Sequence, residues 1–333
     1  MNALIRSPAL ALGAVIAVAA MPLAAQTLPA DPASIWTLQD ENASISAAKL
    51  TDRDYTNGLR LGWTSPSDAQ PQALTGVGRA LWGDGQLRIS FDLTQQIYTP
   101  TNAASVSPPA GDRPYAGVLM GTFGLTSDTA DHRSTLSLGL GLVGPAALGE
   151  EVQNGFHDLI GQKHNNGWST QLPNEPLLEI TSSRVWRLKT GGVAGLETEV
   201  LPELTAGLGT LRTYVMTGAV ARIGQGLDSD FGAPRLRPGL TAGDAFARRD
   251  IGWYVFAGVD GQGVAYDTTL DGDLFQSSRS VKRVPYLGEA ELGAALLIAG
   301  TRLTYTQVIQ TQEYRHQKGG PHEFGSLAWS LRF

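Results

Sequence analysis

Cysteine is absent from all 333 residues, so neither disulfides nor thiolate chemistry enter any reading of this chain. Charge is sparse: Asp, Glu, Lys and Arg make up 17% of the sequence, and the net charge of −6 comes from scattered single residues. With no basic patch or acidic tail, a nucleic-acid partner is not expected. Beyond the first 25 residues no run of 18 uncharged apolar residues occurs, which excludes helical membrane spans, since these need ~20. No Pro- or Ser-rich linker divides the chain, so one domain is expected. Glycine, by contrast, is plentiful at 40 of 333 residues, well above the usual ~7%.

The N-terminus carries Arg6, an uncharged apolar run from Ala9 to Ala20, and Leu23-Ala24-Ala25 ahead of Gln26. A buried core helix has a similar composition, but this order of positive charge, short apolar run and small residues reads as a cleavable secretory signal over residues 1–25. The mature domain is then 26–333.

Within that domain apolar residues recur at every second position. Leu59, Leu61 and Trp63 share one face; Leu87, Ile89, Phe91 and Leu93 alternate with Arg88, Ser90, Asp92 and Thr94; Leu136 to Leu142 alternate with serine and glycine. Such alternation means strands with one apolar and one polar face. Twelve strands are expected, near 34–41, 54–65, 86–97, 115–126, 134–143, 177–189, 193–202, 211–223, 250–262, 283–297, 300–312 and 324–333. Strands of ~9–11 residues, even in number, suit an all-β single transmembrane antiparallel barrel. The long connections 66–85, 99–114, 144–176 and 224–249 alternate with short ones, as extracellular loops alternate with periplasmic turns. The last segment, with Leu327, Trp329, Leu331 and Phe333 on one face, resembles the terminal strand of outer-membrane barrels, although a soluble β-sandwich can also end on an edge strand. Twelve strands imply a narrow, side-chain-filled interior.

Two regions carry chemistry. Asp40-Glu41-Asn42, with Thr51 to Gly58, clusters carboxylates, amides and hydroxyls near two strand ends. These are oxygen donors suited to a hard cation, or simply a solvated hairpin loop. The second is Gly149 to Gly161, where Val152, Phe156, Leu159 and Ile160 repeat at helical spacing and Glu150, Gln153 and His157 fall on another face. This predicts a short helix inserted in one long loop, packed on the barrel wall or at the membrane interface. His157, held on that helix, suits proton transfer near neutral pH; the alternative is a structural or exposed histidine. His132, His164, His316 and His322 have no comparable setting. The G-x-G-x-x-G match at Gly139–Gly144 has no βαβ unit around it, and Gly167-Trp168-Ser169 lacks the last glycine of a nucleophile elbow. Both are set aside.

The ordered motifs resemble the outer-membrane lipid A 3′-O-deacylases, the LpxR family. The pieces are Glu41-Asn42, Thr51-Asp52, Asp54-Tyr55-Thr56-Asn57-Gly58, Gln95 to Pro100, Gly111 to Gly117, Gly141 to Pro145, Glu151-Val152-Gln153 through His157, Gly167-Trp168, Gln171 and Asn174-Glu175. The resemblance implies a twelve-stranded barrel in the outer membrane of a Gram-negative bacterium. It implies an esterase that removes the 3′-linked acyloxyacyl group of lipid A, with lipopolysaccharide and outer-membrane lipid as its partners; a barrel of this size can stand alone, so a monomer is expected. It places the catalytic histidine at His157 and supporting roles at Asn42 and Thr56. Gln153, Tyr55 and Arg113 are expected to contact substrate or to support the groups that do. It also implies a Ca²⁺ ion polarising the ester carbonyl. The sequence departs from the pattern at Ala43, directly after the Asn, and at Lys163, six residues after the histidine, where acidic residues are expected; Asn102–Ser105 stands where a lysine is expected. Asp40 and Glu41 are the acids left to hold the cation. The rival functions are a non-enzymatic pore or adhesin and a barrel phospholipase.

Overall fold

The computed structural model describes residues 13–15, 17, 28–47, 53–103, 105–236, 238 and 243–333. Apart from 13–15 and 17, the expected signal 1–25 lies outside these, as do Thr51 and Asp52. Twelve antiparallel strands close into one barrel. They are β1 (Ile35–Asn42), β2 (Asp54–Thr64), β3 (Gln86–Thr99), β4 (Ala116–Asp128), β5 (His132–Val143), β6 (Glu175–Trp186, resuming as Leu188–Val193), β7 (Leu196–Gly209), β8 (Arg212–Gln225), β9 (Ile251–Asp267), β10 (Tyr286–Ile298), β11 (Thr301–Gln310) and β12 (His322–Arg332). The seam pairs β1 with β12, from Ile35 opposite Arg332 to Asn42 opposite Gly325. Three helices join them: α1 (Gln72–Trp82), α2 (Gly149–Ile160) and the single turn α3 (Thr268–Asp271). Among the described residues no helix is long and apolar enough to cross a membrane.

The break in β6 and the seventh strand explain each other. The expected strand 193–202 stops at Pro202, which cannot donate to a ladder. In the structure β7 runs on to Gly209, and Pro202 stands opposite the gap at Trp186-Arg187, between the pairs Val185↔Glu203 and Leu188↔Val200. The Arg187 N–H donates instead to the Asp131 carbonyl at 2.7 Å.

Polarity is reversed relative to a water-soluble protein. On β1, Trp36 and Leu38 point outward, 46% and 56% exposed, while Thr37, Gln39 and Glu41 are buried inside. Trp63, Phe91 and Phe123, neighbours on β2, β3 and β4, stack across the outer wall with ring centroids 6.0 and 5.2 Å apart. An apolar outer band with aromatics at its edge is what lipid as a solvent selects.

The first strand begins and the last strand finishes at one end of the barrel, here the near end. The expected segregation of short and long connections does not hold: 65–85 and 226–250 are long yet lie at the near end, and 210–211 is a short turn at the far end. The described residues of the long near-end connection 226–250 fold into the lumen. Its Arg235 pairs with Glu41 of β1 at 3.1 Å and with Glu291 and Glu289 of β10 at 2.8 and 3.5 Å. Asp230 accepts from Arg222, from Arg302 at 3.2 Å and from Tyr254 at 3.0 Å, and Asp244 pairs with Arg60. A buried charge is tolerated only when paired in this way. The interior is therefore filled by a chain segment as well as by side chains. Between that segment and the inner walls of β2 to β8 remains a cavity of about 270 Å³, lined largely by polar residues such as Arg60, Asp92, Gln96 and Arg133.

Burial alone would raise the Asp230 carboxyl, but Arg222 and Arg302 hold it below the ordinary carboxylate range; against the same burial, Arg60 does this for Asp244. A carboxylate depressed in the docked state favours docking above its free-state value of ~3.9 and loses that advantage as pH falls through the docked-state value. The Asp230 and Asp244 ties of the lumen segment are thus expected to hold at neutral pH and to weaken only in strong acid. Planar-bilayer recordings should show low conductance at pH 7 that rises only once pH falls below the ordinary carboxylate range. A rise already between pH 7 and 5 would contradict this account.

Candidate active site

The barrel wall divides the candidate residues into two sets. Adjacent strand residues face opposite ways, so on β1 Glu41 points into the lumen while Asp40 and Asn42 lie on the outer face with Trp36 and Leu38. Glu41 is fully engaged: Oε1 accepts from Arg235 at 3.1 Å and from the Leu236 N–H at 3.0 Å, and Oε2 accepts from Tyr55 at 3.1 Å. Tyr55 therefore lies inside too. Its hydroxyl sits over Gly58, where a Cβ would come within 2.0 Å of it, so the glycine of that motif is a seat for the ring. Arg113 closes the far end of the lumen, donating to Glu313 at 2.9 Å and Thr269 at 3.0 Å, with its guanidinium 4.7 Å from the Tyr98 ring centroid. Tyr55 and Arg113 serve the lumen network, not the outer face.

On the outer face a β-bulge falls between Tyr55 and Asn57. Thr56 is its extra residue, and bulges re-aim side chains in this way. The Thr56 and Thr99 hydroxyls are 2.6 Å apart. Asn57 donates to Asp40 at 2.9 Å, and the Asn42 carboxamide oxygen accepts the Ser44 N–H at 2.7 Å. These polar groups gather at the far end of β1, β2 and β3, above the apolar band.

Beside them α2 lies on the outer wall of β3 and β4. Two acidic residues in its first turn suit the positive end of the helix, and Gly161 ends it at φ 70°. The contact with β4 is backbone to backbone: a Cβ on Gly149 would meet Trp168 at 2.7 Å and the Gly117 Cα at 3.0 Å. Gln95 of β3 donates to the Ala147 carbonyl at 2.7 Å. Ile97, two residues before Thr99 on the same face, packs in a cluster with Tyr115, Trp168 and Val152. Trp168 Nε1 donates to Gln153 at 2.9 Å, and one helical turn on, His157 Nδ1 lies 2.8 Å from the Lys163 carbonyl oxygen. A carbonyl only accepts, so Nδ1 carries the proton and Nε2 has the lone pair.

The helix is inside out. Gln153 and His157 are buried, whereas Phe156, Leu159 and Ile160 are 51%, 81% and 47% exposed. Of the expected apolar face only Val152 reaches the wall; the rest continues the lipid-facing band. Water would not select that arrangement, but a membrane interface does.

The structure thus brings His157, Gln153, Thr56, Asn42 and Asp40 to one side and one end of the barrel, and leaves Glu41, Tyr55 and Arg113 on the other side. Gln95, Thr99, Trp168 and the Lys163 carbonyl complete the arrangement. All four lie in or beside the resembling motifs, but only their contacts give them roles. Of the remaining histidines, His132 and His322 are buried rather than peripheral.

A hard cation needs several convergent oxygens. Asp40 and Glu41 point to opposite faces, and Glu41 is consumed inside. Among the described residues no three His, Asp or Glu side chains converge to hold a metal. Asp40 and Glu41, the acids expected to hold the cation, therefore do not fit a Ca²⁺ ion as a pair.

Comparison with known proteins agrees with the architecture. A family model described as outer membrane protein LpxR matches residues 10–333. Among solved structures, LpxR from Salmonella typhimurium is 23% identical and superposes with a TM-score of 0.73 over 90% of this chain and 100% of that one, so the two share a fold. The β-domain of the Bordetella autotransporter BrkA is 10% identical, with a TM-score of 0.45 over 92% of this chain and 100% of that one. No curated protein matches the sequence.

Proposed function

We propose that this chain, which belongs to the LpxR family of outer-membrane proteins, is an esterase that removes the 3′-linked acyloxyacyl group of lipid A. The observation that carries this reading is the setting of His157. It is a buried, tautomer-fixed imidazole, held against the outer wall by a helix whose other face is apolar. A base so placed serves a substrate that lies in the membrane, with its head group at the far, cell-exterior rim.

Hydrolysis then runs as follows. His157 Nε2 takes a proton from water. The water oxygen bonds to the ester carbonyl carbon, giving a tetrahedral oxyanion. Its collapse breaks the bond to the sugar oxygen, which receives the proton from His157, and the products are a fatty acid and a free 3′-hydroxyl. Gln153, fixed by Trp168, keeps the helical turn beneath His157 in place. The Thr56–Thr99 hydroxyl pair and Asn42 orient water and ester at the rim. Lys163 offers only its carbonyl to the ring, so ring orientation needs no carboxylate. The pore reading has against it a lumen occupied by the described residues of 226–250, which Arg235 and Asp230 tie to the wall.

Mass spectrometry of lipid A from cells expressing the chain tests this reading. The expected result is a species lighter by the 3′ acyloxyacyl group. Unchanged lipid A alongside a folded barrel in the outer membrane would defeat it, and loss of an acyl chain from phospholipids instead would favour the phospholipase alternative.

A further inference from the structure

Ester hydrolysis builds negative charge on the carbonyl oxygen, and some positive group must meet it. We propose that this chain does so without a metal ion, and that the ammonium of Lys163 supplies the charge. The inference rests on the hydrolytic reading above.

Three observations carry it. First, the acids near the site are already engaged: Glu41 with Arg235 and Tyr55 across the wall, Asp40 with Asn57, and Asp158 with His164. Second, Ala43, buried between Asn42 and the bulge, offers no side-chain oxygen, and its N–H is spent on the Thr56 carbonyl at 3.1 Å. Third, the carbonyl of Lys163 accepts the His157 Nδ1–H at 2.8 Å. The Cα bearing the lysine side chain is bonded to that same carbonyl carbon, so the ammonium is tethered beside the imidazole on a flexible four-carbon stem. Lys163 is exposed, and among the described residues its ammonium has no ion-pair partner.

At the lipid surface this ammonium meets the oxyanion as a point charge carrying three N–H donors. It forms and breaks no covalent bond. Proton movement remains with His157, and charge balance at the tetrahedral stage comes from the protein alone. A cation fixed to the chain needs no loading and cannot be stripped by a chelator.

The full-length barrel, purified in detergent and mixed with lipid A micelles, allows the test. Rates of 3′ deacylation are measured by mass spectrometry with excess EGTA or millimolar Ca²⁺, and Ca²⁺ binding is followed separately by calorimetry. Wild type should hydrolyse within twofold of the same rate under both conditions and show no saturable Ca²⁺ uptake. Lys163→Met should lower kcat at least tenfold with KM little changed, and Lys163→Arg should keep most of the rate. Abolition by EGTA, saturable Ca²⁺ binding, or wild-type turnover in Lys163→Met would each overturn the proposal. Should wild type be inert in both media, the hydrolytic reading fails instead, and the calorimetry still decides whether the site takes calcium.

Discussion

Replacing His157 by alanine should leave a folded barrel and cut lipid A deacylation by about 10²–10⁴, the usual contribution of a positioned general base. The fold should tolerate the change because α2 is held by other contacts: the close approach of Gly149 to Gly117 and the packing of Val152 and Trp168 on Ile97. The ring's own bond to the Lys163 carbonyl is a single neutral hydrogen bond, worth about 0.5–1.5 kcal/mol. His157→Gln separates the two roles. A glutamine amide can still donate to that carbonyl but is no base, so a purely structural histidine predicts an active Gln variant and a catalytic one predicts an inert variant. Heat-modifiable migration on gels checks the fold, and lipid A mass spectra check the chemistry.

The second large effect concerns stability. Arg235→Ala should destabilise the protein by about 3–5 kcal/mol, the cost of stripping a partner from a buried ion cluster. Arg235 lies among Glu41, Glu289 and Glu291, all buried, so its removal leaves three carboxylates facing one another with the Leu236 and Tyr55 donors as partial relief. Denaturant unfolding followed by tryptophan fluorescence measures the loss. A drop below 1 kcal/mol would mean that water already screens the cluster. Lysine at this position should recover little, since an ammonium cannot meet three carboxylates with the geometry of a guanidinium.

The strands were legible because lipid on one side and a polar lumen on the other impose a strict two-residue period, as in Leu59-Leu61-Trp63. The same period also told which side each acid takes: Trp36 and Leu38 pointing outward forces Asp40 out and Glu41 in, and pairing them as cation ligands overlooked it. The bulge at Thr56 has no such signature, since an extra residue in a strand looks like any other residue. Helix α1 was hidden by Gly76 and Gly78, which lower helix propensity. Gly78 is there because Leu87 packs so close that a Cβ would fall 2.7 Å from its methyl carbon. The lumen segment was read as an external loop because Asp230, Arg235 and Asp244 are single charges in a Gly- and Pro-rich stretch. Their partners Arg222, Glu41 and Arg60 come together only when the sheet closes.

That closure bears on when the proposed site is complete. The seam joins the first strand to the last, and Thr37 bonds to Ser330 across 293 positions of sequence. Pairing of such span carries the largest loop-closure cost in the molecule and forms late. Asn42 and Asp40 sit on β1 itself, one strand from the bulge carrying Thr56, so the strand that bears this part of the polar rim is held on both edges only when β12 arrives. On the proposed reading, closure of the barrel is the step that fixes both edges of the strand bearing the rim.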